Sequence, residues 1–158
     1  MLDKLNQKKD SFESRMRELI RKMYHDFSNT DSMVFKPEKH EIGMVFMDNT
    51  PIEIDAFGTY IREGTMHLLV GEIKNINKLV DTSEMNKFLK KIDFIYQRYS
   101  TIARLSSLNK AVITNKILIS SSGFDPSIIS FSEKNSIEIF NKEAVKELLK
   151  KYGQFTIP

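Results

Sequence analysis

Between residues 10 and 27 apolar side chains recur at spacings of three and four, at Phe12, Met16, Leu19, Ile20, Met23 and Phe27. That is the period of a helix with one buried face. Asp10 or Ser11 can cap it. Residues 28–32, Ser-Asn-Thr-Asp-Ser, end it because their short polar side chains compete for backbone hydrogen bonds. The period then changes. Extended segments are predicted at residues 33–35, resuming at 42–47, then at 51–61 and 65–75, with Asp48-Asn49 and Glu63-Gly64 as hairpin turns. In Met66-His67-Leu68-Leu69-Val70-Gly71 both alternating faces are apolar apart from His67, as expected of a central strand covered on both sides.

Helical period returns after Asp81-Thr82-Ser83-Glu84, which has the form of a capping pair, and Met85, Phe88, Leu89, Ile92, Ile95, Tyr96 and Tyr99 sustain it to about residue 105. A strand over 111–120, a loop at 121–123, a short helix over 125–131 opening with Pro126, and a strand over 136–140 follow. Asn141 caps a last helix to about residue 151. The order α-β-β-β-α-β-α-β-α predicts an α/β sandwich, a central mixed sheet flanked by helices.

Composition narrows this picture modestly. The 158 residues, with an ordinary 41% hydrophobic and 28% charged share, predict a single domain over 1–158: an N-terminal helix over about 10–27 and a core over 33–152. With no cysteine, disulfides and thiolate metal sites are excluded, so a metal would need oxygen or imidazole ligands. Residues 1–10 lack the apolar core of a signal peptide and no segment has the length of a membrane span, so a cytoplasmic protein without membrane contact is expected. The net charge of +3 is compatible with a polyanionic partner but decides nothing. Its distribution says more: acids gather around residues 53–72, and lysines crowd Lys87, Lys90 and Lys91 and again Lys142, Lys146, Lys150 and Lys151. The ordinary reading of such runs is a solvated helix face.

Candidate chemistry lies on the second and third extended segments. In Pro51-Ile52-Glu53-Ile54-Asp55-Ala56-Phe57 a period of two places Glu53 and Asp55 on one face. The same arithmetic aligns Glu72 and Lys74 with Leu68 and Val70, so an apolar face turns abruptly charged near the end of a buried strand. Buried charges need each other or a metal. On neighbouring strands, Asp55 and Glu72 would approach to ~5 Å, where like charges repel by roughly 3 kcal/mol at an effective dielectric of 20. A divalent cation reverses that penalty. Carboxylates, waters and a carbonyl suit Mg²⁺ or Mn²⁺, and a nearby ammonium suits a phosphate oxygen or an attacking water, which points to phosphoryl transfer.

Asp55, sixteen intervening residues, then Glu72-Ile73-Lys74 at the end of an apolar strand resembles the PD-(D/E)xK signature of restriction-endonuclease-like nucleases, with Ile54 where the family has proline. Phe12-Glu13 followed by Leu19-Ile20 resembles the first helix of archaeal Holliday-junction resolvases and type IV restriction enzymes. The tail, with Ser121-Ser122-Gly123-Phe124-Asp125 and the strand Ile137-Glu138-Ile139-Phe140, is similar to the second of these groups. The resemblance spans about residues 10–150. It implies the restriction-endonuclease-like sandwich and a Mg²⁺- or Mn²⁺-dependent endonuclease that hydrolyses DNA phosphodiester bonds with a metal-activated water. In that implication Asp55, Glu72 and the Ile73 carbonyl hold the metal, and Lys74 positions the water or stabilises developing charge. Glu13 assists as an outer ligand, Glu53 and Gln97 are auxiliary candidates, and Lys87, Lys90 and Lys91 grip phosphates. A homodimer or a larger protein partner is compatible with it.

Plainer readings stand beside these. Asp55, Glu72 and Lys74 also suit a salt-bridge triad that supports a sheet, and the same fold can serve as a non-catalytic nucleic-acid-binding or assembly module. Glu18 rivals Glu13 on the same helix. His25, His40 and His67 share no metal-ligand spacing. Phe94, Tyr96 and Tyr99 suit a core or a dimer face better than base stacking, and the methionines suit core filling.

Overall fold

The computed structural model describes residues 2–38 and 50–153, with residues 2–10 described as backbone. The first helix, α1 (Leu2–Met23), begins earlier than its apolar stripe. Residues 2–10 contain neither glycine nor proline and include two leucines, three lysines and a glutamine, all good helix formers, so the helix runs through Asp10 and Ser11 rather than being capped there. At its other end the expected last turn tightens into a 3₁₀ segment, His25–Phe27. The Thr30 hydroxyl then donates to the Phe27 carbonyl at 2.6 Å, and Arg21 Nε donates to the Thr30 carbonyl at 2.7 Å, closing the turn.

Three strands follow: β1 (Asp31–Phe35), β2 (Ile52–Arg62) and β3 (Thr65–Lys74). The strand expected over 42–47, the turn at Asp48-Asn49 and His40 lie outside the described residues. Arg62 pairs with Thr65, leaving Glu63-Gly64 as a two-residue turn with φ of 52° and 78°. Two left-handed residues in succession make a type I′ turn, which twists with the strands it joins. Glu63 carries a Cβ into that region at a cost of about 1 kcal/mol. Glu63→Asn is therefore expected to stabilise the protein by about 0.5–1 kcal/mol, read as a higher denaturant midpoint at unchanged slope.

The next helix, α2 (Thr82–Leu105), starts where predicted: the Asp81 side chain accepts from Glu84 N at 3.0 Å. The reciprocal half of the capping pair is replaced, because the Glu84 carboxylate lies 3.2 Å from Lys74 Nζ and 3.7 Å from Lys78 Nζ. Strand β4 (Lys110–Ser120) leads to α3 (Pro126–Lys134), capped by Asp125. This helix runs past its expected end at residue 131 and stops at Asn135. Strand β5 (Glu138–Phe140) and α4 (Lys142–Tyr152), whose cap Asn141 accepts from Ala144 N at 2.9 Å, complete the chain.

The five strands among the described residues form one sheet in sequence order, antiparallel from β1 to β3 and parallel from β3 to β5, with β3 in the middle of them as predicted. Apolar cores lie on both faces. Leu68 and Val70 of β3 join Met85, Phe88 and Ile95 of α2 and Ile128 of α3 on one side. Leu69 and Ile73 join Met16, Leu19 and Ile20 of α1 and Val145 of α4 on the other. This is the α/β sandwich around a mixed sheet that the pattern predicted. Phe94 and Tyr99 pack edge-on against Phe35 at ring separations of 6.3 Å, within the core rather than on a surface platform. Among the described residues no helix is long and apolar enough to cross a membrane.

Two irregularities in β2 prepare the site. Met33 pairs with Ile54 but Asp31 pairs with Phe57, so β2 carries one extra residue at Asp55-Ala56, a β-bulge. The β2–β3 ladder ends at Ala56–Gly71, although β2 extends back to Ile52 and β3 onward to Lys74. A Cβ on Gly71 would stand 3.1 Å from the Ala56 Cβ, so glycine permits this last close pairing before the strands part. Beyond it, β2 stays with β1 and β3 with β4, which opens a fork in the sheet.

Candidate active site

At the fork the Asp55 carboxylate takes over from the missing backbone partner. Its Oδ2 accepts from Ile73 N at 2.9 Å, which fixes it between the diverging strands. Glu72 enters from β3, and both carboxyl groups are buried, 8% and 4% exposed. The bulge falls at this position, and Asp55 is buried there while Glu53, two residues earlier on the same face, stays exposed. Both still border the same cleft of about 200 Å³, together with Glu13, Lys74 and Lys91.

Two buried acids this close cannot both carry a full charge cheaply. The Glu72 carboxyl is pushed up to about 8, chiefly by burial, then by its hydrogen bond to Asp55 and by the Asp55 charge, against the opposing pull of Lys91 and Lys74. Lys91 Nζ lies 3.0 Å from Glu72 Oε2. For Lys74, burial is the largest influence and favours the neutral amine, but Glu72, Glu84 and Asp55 together outweigh it and hold the ammonium above its ordinary range.

Helix α1 closes the other wall. Arg17, 14% exposed, donates through Nη1 to the Asp55 carbonyl at 3.3 Å and stands 3.8 Å from Glu13 Oε2. It thereby ties α1 to the bulge itself. The carbonyl it holds belongs to the residue whose ladder partner the bulge displaced.

The structure thus gathers Asp55, Glu72, Ile73, Lys74, Glu13 and Glu53 around one cleft. Gln97 is exposed further along α2 and does not line it, and Lys87 and Lys90 point to solvent from the same helix. Lys91, grouped with them in the sequence, instead faces inward onto Glu72. Three contributors are not evident in the sequence pattern: the Lys91–Glu72 pair, the Glu84 anchor of Lys74, and Arg17. A signal for the first two exists. Glu84 and Lys91 fall on the same helical stripe as Phe88 and Ile95, and a charge on a core-facing stripe has a buried partner to meet. His67 lies elsewhere, its Nδ1 2.8 Å from the Thr114 hydroxyl and its ring stacked on Tyr60.

The donor set bears on a metal. Among the described residues no three acidic or histidine side chains converge as a ready-made cage. The Glu72 carboxyl, which burial and Asp55 push towards its protonated form, and the Asp55 carboxyl facing it are nevertheless a fit for a hard divalent cation, which would replace the Glu72 proton, with the Ile73 carbonyl and waters as further oxygen ligands. Mg²⁺ retains several waters and needs only one or two carboxylates.

No protein-family model matches the chain, and no curated protein does. Among solved structures, a protein of unknown function, AF1548, superposes over 90% of this chain and 67% of its own length, with a TM-score of 0.53 and 11% identity. That likeness is one of fold. The DNA modification-dependent restriction endonuclease AspBHI overlaps 90% of this chain and 31% of its own, at 13% identity and a TM-score of 0.47, which is too loose to argue from.

Proposed function

We propose that the protein is a metal-dependent endonuclease that hydrolyses DNA phosphodiester bonds, built on a restriction-endonuclease-like sandwich. The observation that carries this reading is the Asp55–Glu72 pair: two buried carboxylates brought together at a fork in the sheet, with Lys74 beside them and a cleft open to solvent. A salt-bridge triad serving stability alone would leave no conflict between its acids. Here Glu72 has Lys91 at 3.0 Å, but Asp55 still faces it and raises its carboxyl, and Lys74 is turned to Glu84 instead of to Asp55.

Asp55, Glu72 and the Ile73 carbonyl would hold Mg²⁺ or Mn²⁺, which supplies a Lewis acid and an acidified water. The chain's own groups do the rest. The Ile73 N–H and the bulge fix the Asp55 carboxylate, and Arg17 fixes the bulge. The Lys74 ammonium, kept protonated by its acidic neighbours, places positive charge at the cleft wall, where a phosphate oxygen gains negative charge as the bond to the leaving oxygen breaks. Glu13 borders the cleft as an outer acid that can orient a water. DNA as the substrate rests on the PD-(D/E)xK resemblance.

The test is incubation with plasmid, single-stranded and four-way-junction DNA in Mg²⁺, Mn²⁺ or EDTA. Cleavage that needs metal is the expected result, with Lys74→Ala lowering the rate on the order of 10²-fold at unchanged DNA affinity, since it removes one preorganised positive group. If no substrate is cut in any metal and Lys74→Ala leaves DNA binding unaltered, the chain is a binding or assembly module on this fold.

A further inference from the structure

A second cavity, about 270 Å³, opens between α1 and α4 next to the Asp55–Glu72 cleft. Its floor is apolar, made by Phe12 and Met16 of α1 and Val145 and Leu149 of α4, and its rim is basic, with Arg15, Lys142 and Lys146 exposed around it. Among the described residues no acidic one lines it. The two cavities adjoin. Phe12 lines one and its neighbour Glu13 the other, and Ser121 at the edge of the groove donates its hydroxyl to Asn75 of the cleft at 2.9 Å. Lys74 of the cleft and Ser120, next to Ser121 of the groove, are register partners on adjacent strands, so the two cavities share an edge of the sheet.

The combination selects an occupant. Cations alone would grip the outside of a duplex, whose bases stay stacked and out of reach. An aromatic and aliphatic floor inside a basic rim matches instead a ligand with a flat apolar face and negative charges beside it. We propose that this groove holds an unstacked base of the substrate, next to the scissile phosphate, with Arg15, Lys142 and Lys146 on the flanking phosphates. The substrate is then single-stranded, or locally opened, at the point of attack. This inference rests on the nuclease reading of the adjoining cleft.

Binding measured without cleavage isolates the groove. In EDTA, a short labelled single strand is expected to bind the full chain more tightly than its duplex. Lys142→Ala/Lys146→Ala, both at exposed positions, should flatten the slope of log K against log salt by about 1.4 for the single strand, at ~0.7 for each phosphate no longer neutralised. Phe12 also packs against the α1 core, so Phe12→Leu serves beside Phe12→Ala: it keeps apolar bulk, removes the stacking face, and should weaken single-strand binding roughly five- to a hundredfold with duplex binding unchanged. Equal affinity for both forms, or a salt slope unmoved by the double variant, overturns the proposal. So does an acidic amphipathic peptide that binds wild type but not the double variant, with single-strand affinity the same in both proteins; that result assigns the groove to a protein partner. Metal-dependent cleavage of duplex and single strand at equal rates, in wild type and double variant alike, overturns this inference and leaves the nuclease standing. Variant-sensitive single-strand binding with no cleavage in any metal removes the nuclease and keeps the groove.

Discussion

Asp55→Asn is expected to abolish cleavage while leaving the fold intact or firmer. The substitution is nearly isosteric, and an asparagine carbonyl oxygen can still accept from Ile73 N, so the hydrogen bond that replaces the missing ladder partner survives. Its amide then presents donors to Glu72 in place of a like charge, which relieves the largest charge conflict of the site. The proposed metal site, by contrast, loses one of its two carboxylates. A Lewis acid contributes several kcal/mol to such a reaction, so the rate should fall on the order of 10³-fold or more. Calorimetric titration with Mn²⁺ should show binding lost together with activity, and thermal melting in EDTA should show a midpoint no lower than that of wild type. A variant that melts well below wild type and still binds Mn²⁺ would mark Asp55 as a structural anchor and not a ligand.

That both results concern one residue reflects how the site is built, and why only part of it is legible in the sequence. Glu72 and Lys74 stand out locally because β3 is apolar on both faces until the pattern breaks into charge, and burial makes that break costly unless something answers it. Asp55 is legible as a candidate but not in its setting. Period-two arithmetic aligns it with Glu53, and both do border the cleft, but the bulge that pairing with β1 places at Asp55-Ala56 is not readable there. A bulge depends on the register between two strands, and nothing inside residues 51–57 encodes it. Lys91 and Arg17 are harder again: their partners are 19 residues away on β3 and 38 residues away on β2. The capping pair at Asp81–Glu84 is half realised for a related reason. Local preference places the cap, but tertiary contact with Lys74 takes the glutamate side chain. The element order and the central position of β3, which follow from periodicity and burial alone, are readable throughout.

The charge conflict at the fork leads to the other large effect, Glu72→Gln. Burial first, and Asp55 facing it second, push the Glu72 carboxyl up to about 8 from an ordinary 4.5. A carboxyl raised in the folded state binds its proton more tightly there than in the unfolded chain. The stability it contributes is therefore complete below pH 4.5, declines as the pH rises, and is gone above about 8. The gap between 4.5 and about 8 corresponds to as much as ~5 kcal/mol, and a few kcal/mol is the expected loss. Glutamine cannot ionise, so in EDTA the variant should show little of this decline and should exceed wild type at pH 8, less whatever the Lys91 ion pair returned to the wild-type carboxylate. Denaturant midpoints across pH 5 to 8 measure the difference directly. Adding Mg²⁺ at pH 8 should then stabilise wild type, because a cation that binds only the folded state shifts folding by mass action, and should do nothing for Glu72→Gln. Parallel stability curves for the two proteins in EDTA would mean that Glu72 is already relieved of its neighbour, and that it holds no proton for a metal to replace.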